Sequence, residues 1–117
     1  MIQFLIHYGL HFLAPGLIAW IFFPQSWKKA WIIMLATMLV DLDHLLATPL
    51  FDPERCSIGH HPLHSGPAIG LYLLLLAASL IPPLRRAVPA RLIPVSQMIL
   101  LGLLFHMLTD YQDCLWM

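Results

Sequence analysis

Residues 40–44 read Val-Asp-Leu-Asp-His and residues 59–65 read Gly-His-His-Pro-Leu-His-Ser, and the stretch they bracket decides how the rest of the chain is understood. The protein has six acidic residues and seven histidines. Four of each fall between Val40 and Ser65: Asp41, Asp43, Asp52 and Glu54, with His44, His60, His61 and His64. Carboxylate oxygen and imidazole nitrogen together suit a hard or borderline divalent cation, so the stretch reads as the centre of a metal site.

Outward from it the chain is apolar. Its 117 residues allow one domain spanning 1–117, and 60% of them are hydrophobic against 10% charged. A soluble domain carries roughly 25% charged residues; with a mean hydropathy of +0.80, this composition belongs in a bilayer. The net charge is zero, which leaves no electrostatic footprint for nucleic acid. Two cysteines, Cys56 and Cys114, are too few for a disulfide framework and lack thiolate-site spacing. A single bridge closing the loop over the bundle is the alternative, since both fall on the expected outer side, but nothing in the sequence fixes residue 56 relative to the fourth span and free thiols are expected.

Four apolar stretches, 2–23, 30–47, 66–84 and 94–113, have the length and composition of spanning helices. The expected fold is all-α: a four-helix transmembrane bundle capped by the loop between its second and third helices. No basic segment precedes the first stretch, which therefore reads as a retained helix and not a cleaved leader. Pro15 should kink that helix and leave the carbonyl of His11 without its donor. Ser65 followed by Gly66-Pro67 reads as a helix cap, a better account of Ser65 than a nucleophile. The tryptophans, Trp20, Trp27, Trp31 and Trp116, lie mostly near span ends and read as interfacial anchors.

Five of the six basic residues, Lys28, Lys29, Arg85, Arg86 and Arg91, sit in the first and third connections. The positive-inside rule places those connections in the cytoplasm of a bacterial inner-membrane protein, and both termini with the 49–64 loop on the outer side. Every histidine and every acid then falls in the outer half. Four segments bring ligand-type residues to one depth: His7 and His11, Asp41 to His44, the loop, and His106 to Asp113. A single membrane histidine is as well explained by interhelical hydrogen bonding. Carboxylates in a span are costly and kept for pairing or function, which singles out Asp41, Asp43 and Asp110. On an α-helical wheel Asp41 and His44 lie about 60° apart and Asp41 and Asp43 about 160°, so the three converge only if the helix end unwinds. His60 and His64 share a face if their segment is helical; His61, before Pro62, is the weaker ligand. Asp52, Glu54 and Arg55 read as solvated loop residues, and Asp113 as a supporting partner or an interfacial acid.

The Asp-Leu-Asp-His of 41–44, the His-x-x-x-His-Ser of 60–65, the early His11 and the His-x-x-x-Asp of 106–110 resemble the membrane-bound metal-dependent hydrolases, small bacterial inner-membrane proteins, and in particular their domain-of-unknown-function relatives. The resemblance covers nearly the whole chain and implies that Asp41, Asp43, His44, His64, Ser65 and His106 occupy the family's polar positions. This chain is shorter, with four spans, and has His60-His61 where relatives often carry arginine.

The combined reading is a membrane-embedded metal-dependent hydrolase acting on a phosphoester, on a lipid or lipid-linked headgroup at the outer face. One or two divalent ions are expected, zinc first, with manganese or magnesium as alternatives. The expected ligands are His7, His11, Asp41, Asp43, His44, His60, His64, His106 and Asp110, with Asp41 as the catalytic base. The alternative is a non-enzymatic metal-binding membrane protein: a structural site, sensor or carrier. The sequence carries no sign of oligomeric state.

Overall fold

The structure is a computed structural model and describes residues 1–49 and 54–116, which leaves Asp52 and the reading made for it outside the described residues. Among the described residues every regular element is helical. The first apolar stretch forms α1 (Ile2–Phe12) and α2 (Ala14–Phe22). The break lies one residue beyond the expected carbonyl. Gly16 N–H turns back to Leu13 O at 3.0 Å, so the carbonyl of Phe12 loses its α-helical donor. The indole N–H of Trp31 supplies the replacement, at 2.8 Å. Trp31 is therefore a cross-helix donor. The close approach depends on Gly16, because a Cβ there would stand 3.1 Å from the indole ring.

The second stretch departs further from expectation. α3 (Trp27–Ala36) passes into a 3₁₀ segment from Thr37 to Leu46, where a single α-helix through Ala47 was expected. At the junction the Thr37 hydroxyl donates to Met34 O at 2.5 Å, a side-chain bond that competes with the regular ladder. The last long helix presses on the same point: a Cβ on Gly102 would come within 2.9 Å of the Thr37 side chain and 3.0 Å of Met34 Cα.

Ser65 caps α4 (Gly66–Leu80), accepting the Ala68 N–H at 3.3 Å. The helix stops short of the expected Leu84 because prolines at 82 and 83 open a separate turn, α5 (Pro82–Arg85). α6 (Ile93–Cys114) then returns along the molecule. α2 packs on α3 and α4 on α6, while α6 also touches α1, α3 and the 3₁₀ segment, which makes it the central element.

Burial is inverted relative to a water-soluble bundle. The buried apolar cluster is small, Ala19, Ala30, Met34 and Met98, whereas His11, Asp43, His61, His64, His106 and Asp110 are buried. Leu5, Phe22, Leu39, Leu74 and Leu108 are among the many large apolar side chains left outside. Ile2–Phe22 and Ala90–Cys114 are long and apolar enough to cross a membrane; Gly66–Leu80 is apolar but shorter.

Cys56 and Cys114 form a disulfide, with Cα atoms 5.1 Å apart, and no cysteine is free. The expectation of free thiols was wrong. The 3₁₀ turn Pro62–His64 and the capped start of α4 accompany a fold that sets Cys56 against the end of α6, a proximity that sequence separation conceals.

Candidate metal centre

His64 is fully buried and lies where three elements meet. Pro62–His64 makes one 3₁₀ turn just before the Ser65 cap, which aims the imidazole between the Thr37–Leu46 segment and α6. In a 3₁₀ segment successive residues turn by about 120°, so Asp41 and Asp43 come about 40° closer than on an α-helix and Asp41 and His44 eclipse. This unwinding lets Asp41 and Asp43 reach opposite nitrogens of one ring. Asp43 Oδ2 lies 3.0 Å from His64 Nδ1 and Asp41 Oδ1 lies 3.3 Å from its Nε2.

α6 completes the site through residues one turn apart. His106 Nε2 stands 3.4 Å from His64 Nε2 and 3.0 Å from Asp41 Oδ1. Asp110 Oδ2 stands 3.2 Å from His64 Nε2 and 3.5 Å from His106 Nε2. All four donors lie within 4.8 Å of one another. Four ligands held 2.0–2.1 Å from a tetrahedral zinc are about 3.3 Å apart, close to the 3.0–3.5 Å separations given above. The donor chemistry fits as well. His64 Nδ1–H donates to Asp43, which leaves Nε2 facing three lone-pair atoms that need positive charge among them.

Asp43 is buried and both of its oxygens are engaged. Oδ2 accepts from His64 Nδ1 and, at 2.8 Å, from the Leu63 backbone N–H; Oδ1 lies 3.1 Å from His44 Nδ1. A carboxylate on the far nitrogen of a ligating histidine fixes its tautomer and orientation. His44 extends the same support: its Nε2 meets the Ser57 hydroxyl at 3.1 Å. Ser57 had no sequence signal, since it is an ordinary polar residue in a polar loop. His61 is buried with its ring 3.8 Å from that of His44, and burial, followed by repulsion from His44, holds it below its ordinary value. For His64 burial opposes the charge, yet the hydrogen bonds it donates to Asp110, Asp41 and Asp43 outweigh it and raise the value to about 10.

His60 is not brought to the cluster. It is exposed, its ring edge-on to His61, because residues 54–61 form turns and not the helix that its pairing with His64 required. His7 and His11 do reach it, through α1: His11 Nε2 lies 3.4 Å from Asp110 Oδ1. Three of the four central donors are buried, whereas the Asp41 side chain is 40% exposed. A cavity of about 10 Å³, enough for one water, lies under His11 and His106. A larger one of about 850 Å³ lies a helix length away beside Arg85 and Arg86 and touches none of the donors.

These features define an all-helical protein with a His/Asp cluster able to hold a metal ion. The chain belongs to a family of unknown function (DUF6122), whose model matches residues 1–117. No curated protein and no solved structure matches it. Nothing in the family match extends to the membrane-bound metal-dependent hydrolases.

Proposed function

We propose that the protein is a bacterial inner-membrane hydrolase that uses a divalent ion, zinc first, held by His64, His106 and Asp110 with Asp41 beside it, to cleave a phosphoester on a lipid or lipid-linked headgroup. The observation that carries this reading is the unequal burial of the four donors. Three protein ligands with one accessible position is the arrangement of catalytic zinc, and here His64, His106 and Asp110 are buried while Asp41 faces outward. A bound ion would polarise water and neutralise phosphoryl oxygens. Asp41 is placed to take a proton from that water. As the water oxygen bonds to phosphorus the ester P–O bond breaks, and the alcohol leaves with that proton.

Four membrane crossings, with both termini and the site on the outer side, belong to the same proposal. The many outward apolar side chains and the buried polar cluster support it, as do the basic residues gathered at the far end.

The second reading, a structural ion in a non-enzymatic protein, is favoured by the near-tetrahedral spacing, which closes the shell if Asp41 is a ligand. Asp41→Asn separates the two. For a hydrolase, the variant in detergent keeps zinc on the three buried donors and loses cleavage of a phosphodiester lipid probe by at least about a hundredfold, within the range attributed to a general base. Loss of zinc together with a fall in melting temperature, and no cleavage by wild type, would favour the structural ion.

A further inference from the structure

A second constellation lies on the other side of Asp110. His7 and His11 share one face of α1, with ring centroids 4.2 Å apart. His11 Nδ1 lies 3.0 Å from the carbonyl of His7, an acceptor, so that nitrogen carries the proton. The Nε2 lone pair of the neutral ring is then aimed at Asp110 Oδ1, 3.4 Å away. Two lone pairs at that distance need a cation between them. His7 offers a third: His7, His11 and Asp110 each present a ligand atom within 4.8 Å of the other two. One shared proton satisfies the His11–Asp110 pair but leaves His7 outside it, and two adjacent imidazolium rings would repel. A single metal ion satisfies all three.

Polar atoms around His7 lack partners in the same way. His7 Nδ1 stands 2.8 Å from Asp113 Oδ2 but off the line of a hydrogen bond, and both His7 Nδ1 and Asp113 Oδ1 are buried without a hydrogen-bond partner. Asp110 meanwhile points its other oxygen, Oδ2, at His64 and His106.

We propose that His7, His11 and Asp110 hold a second divalent cation, and that the Asp110 carboxylate bridges it to the ion among Asp41, His64, His106 and Asp110. This rests on the metal-binding part of the function proposed above and deepens it: carboxylate-bridged ions about 3.5–4 Å apart are the form that clamps both the attacking and the leaving oxygen of a phosphoester.

The test is metal stoichiometry in detergent-purified full-length protein loaded separately with zinc and with manganese. Two ions per chain are expected, falling to one in His7→Ala/His11→Ala and in the milder His11→Gln. The manganese form should give an exchange-coupled paramagnetic resonance spectrum. One ion in wild type, unchanged by the α1 substitutions, would overturn the second site and leave the central one standing. No ion at all would overturn both. Two ions with uncoupled spectra would overturn the bridge. The wild-type count and coupling decide the matter even if the variants fail to fold.

Discussion

At the scale of single residues the site separates atoms placed to hold an ion from atoms that aim them. Asp43 illustrates the limit of reading residues alone. It was expected among the ligands because an ionised aspartate in a span is expensive. That argument identifies a residue with work to do but not which partner it has: Asp43 meets His64 Nδ1, His44 Nδ1 and the Leu63 N–H, and with His44 and His64 it also forms a group that could itself hold an ion. Asp43→Asn should therefore keep a zinc site but weaken it by about 10–100-fold, the usual cost of losing the group behind a ligating histidine. Asp110→Asn should abolish tight binding. Isothermal titration separates the two, and equal losses would return Asp43 to the ligand set. His64 adds a pH signature. In the metal-free chain its value is raised to about 10, so its stabilising contribution is full below about 6.5 and fades as pH rises through about 10. The ion must displace that proton, so zinc affinity should run the other way, rising by up to about tenfold per pH unit for each proton released. Melting curves with and without zinc at pH 7 and 9.5 should diverge accordingly: the metal-free form loses stability at the higher pH while the zinc increment grows.

At the scale of elements, helix existence was legible and helix type was not. Apolar runs of sufficient length, ended by proline or charged turns, marked the ends of most helices to within a few residues, and Ser65 marked the start of α4 because capping chemistry is local. The 3₁₀ segment left only an indirect trace: the wheel required Asp41, Asp43 and His44 to unwind if all served one point. Two features meet where it begins, the Thr37 hydroxyl bond to Met34 O and the approach of Gly102 to Met34 and Thr37; the second is tertiary, and no pattern within residues 30–47 encodes a contact with residue 102. Gly102→Ala should force that junction apart, costing about 1–3 kcal/mol as an overpacked site. It should also weaken zinc binding, because His106 lies one turn further along α6. Gly70→Ala is the control, since nothing lies within 4 Å of its Cβ position. Comparable zinc loss in both would break the link between this contact and the site. Trp31→Phe tests the other tertiary bond. It leaves the Phe12 carbonyl without a donor, at a cost of about 1–3 kcal/mol, and thermal unfolding should register it without loss of zinc.

At the scale of the whole molecule, two independent lines bear on the membrane orientation proposed above. The sequence supplies one, the basic residues in the 24–29 and 85–91 connections. The disulfide supplies the other: Cys56 and Cys114 lie at the site's end of the molecule, and such bonds persist in oxidising compartments. Both arguments favour the outer side proposed above for that end, and neither uses the other's residues. The bond closes a loop of 58 residues in sequence separation, worth about 4 kcal/mol on the chain-entropy model. It also fixes the end of α6 one turn beyond Asp110, so its loss should loosen the centre as well as the fold. Cys56→Ser/Cys114→Ser, or reduction of wild type, should lower the melting temperature by several degrees and reduce zinc affinity in parallel. Orientation is checked separately by fusing alkaline phosphatase, which needs an oxidising compartment to become active, after residue 117. Active phosphatase on that fusion, with a fusion after Lys29 inactive, is the expected result. The reverse pattern would place the site in the cytoplasm, where the disulfide would not persist and a headgroup substrate would have to come from the inner leaflet.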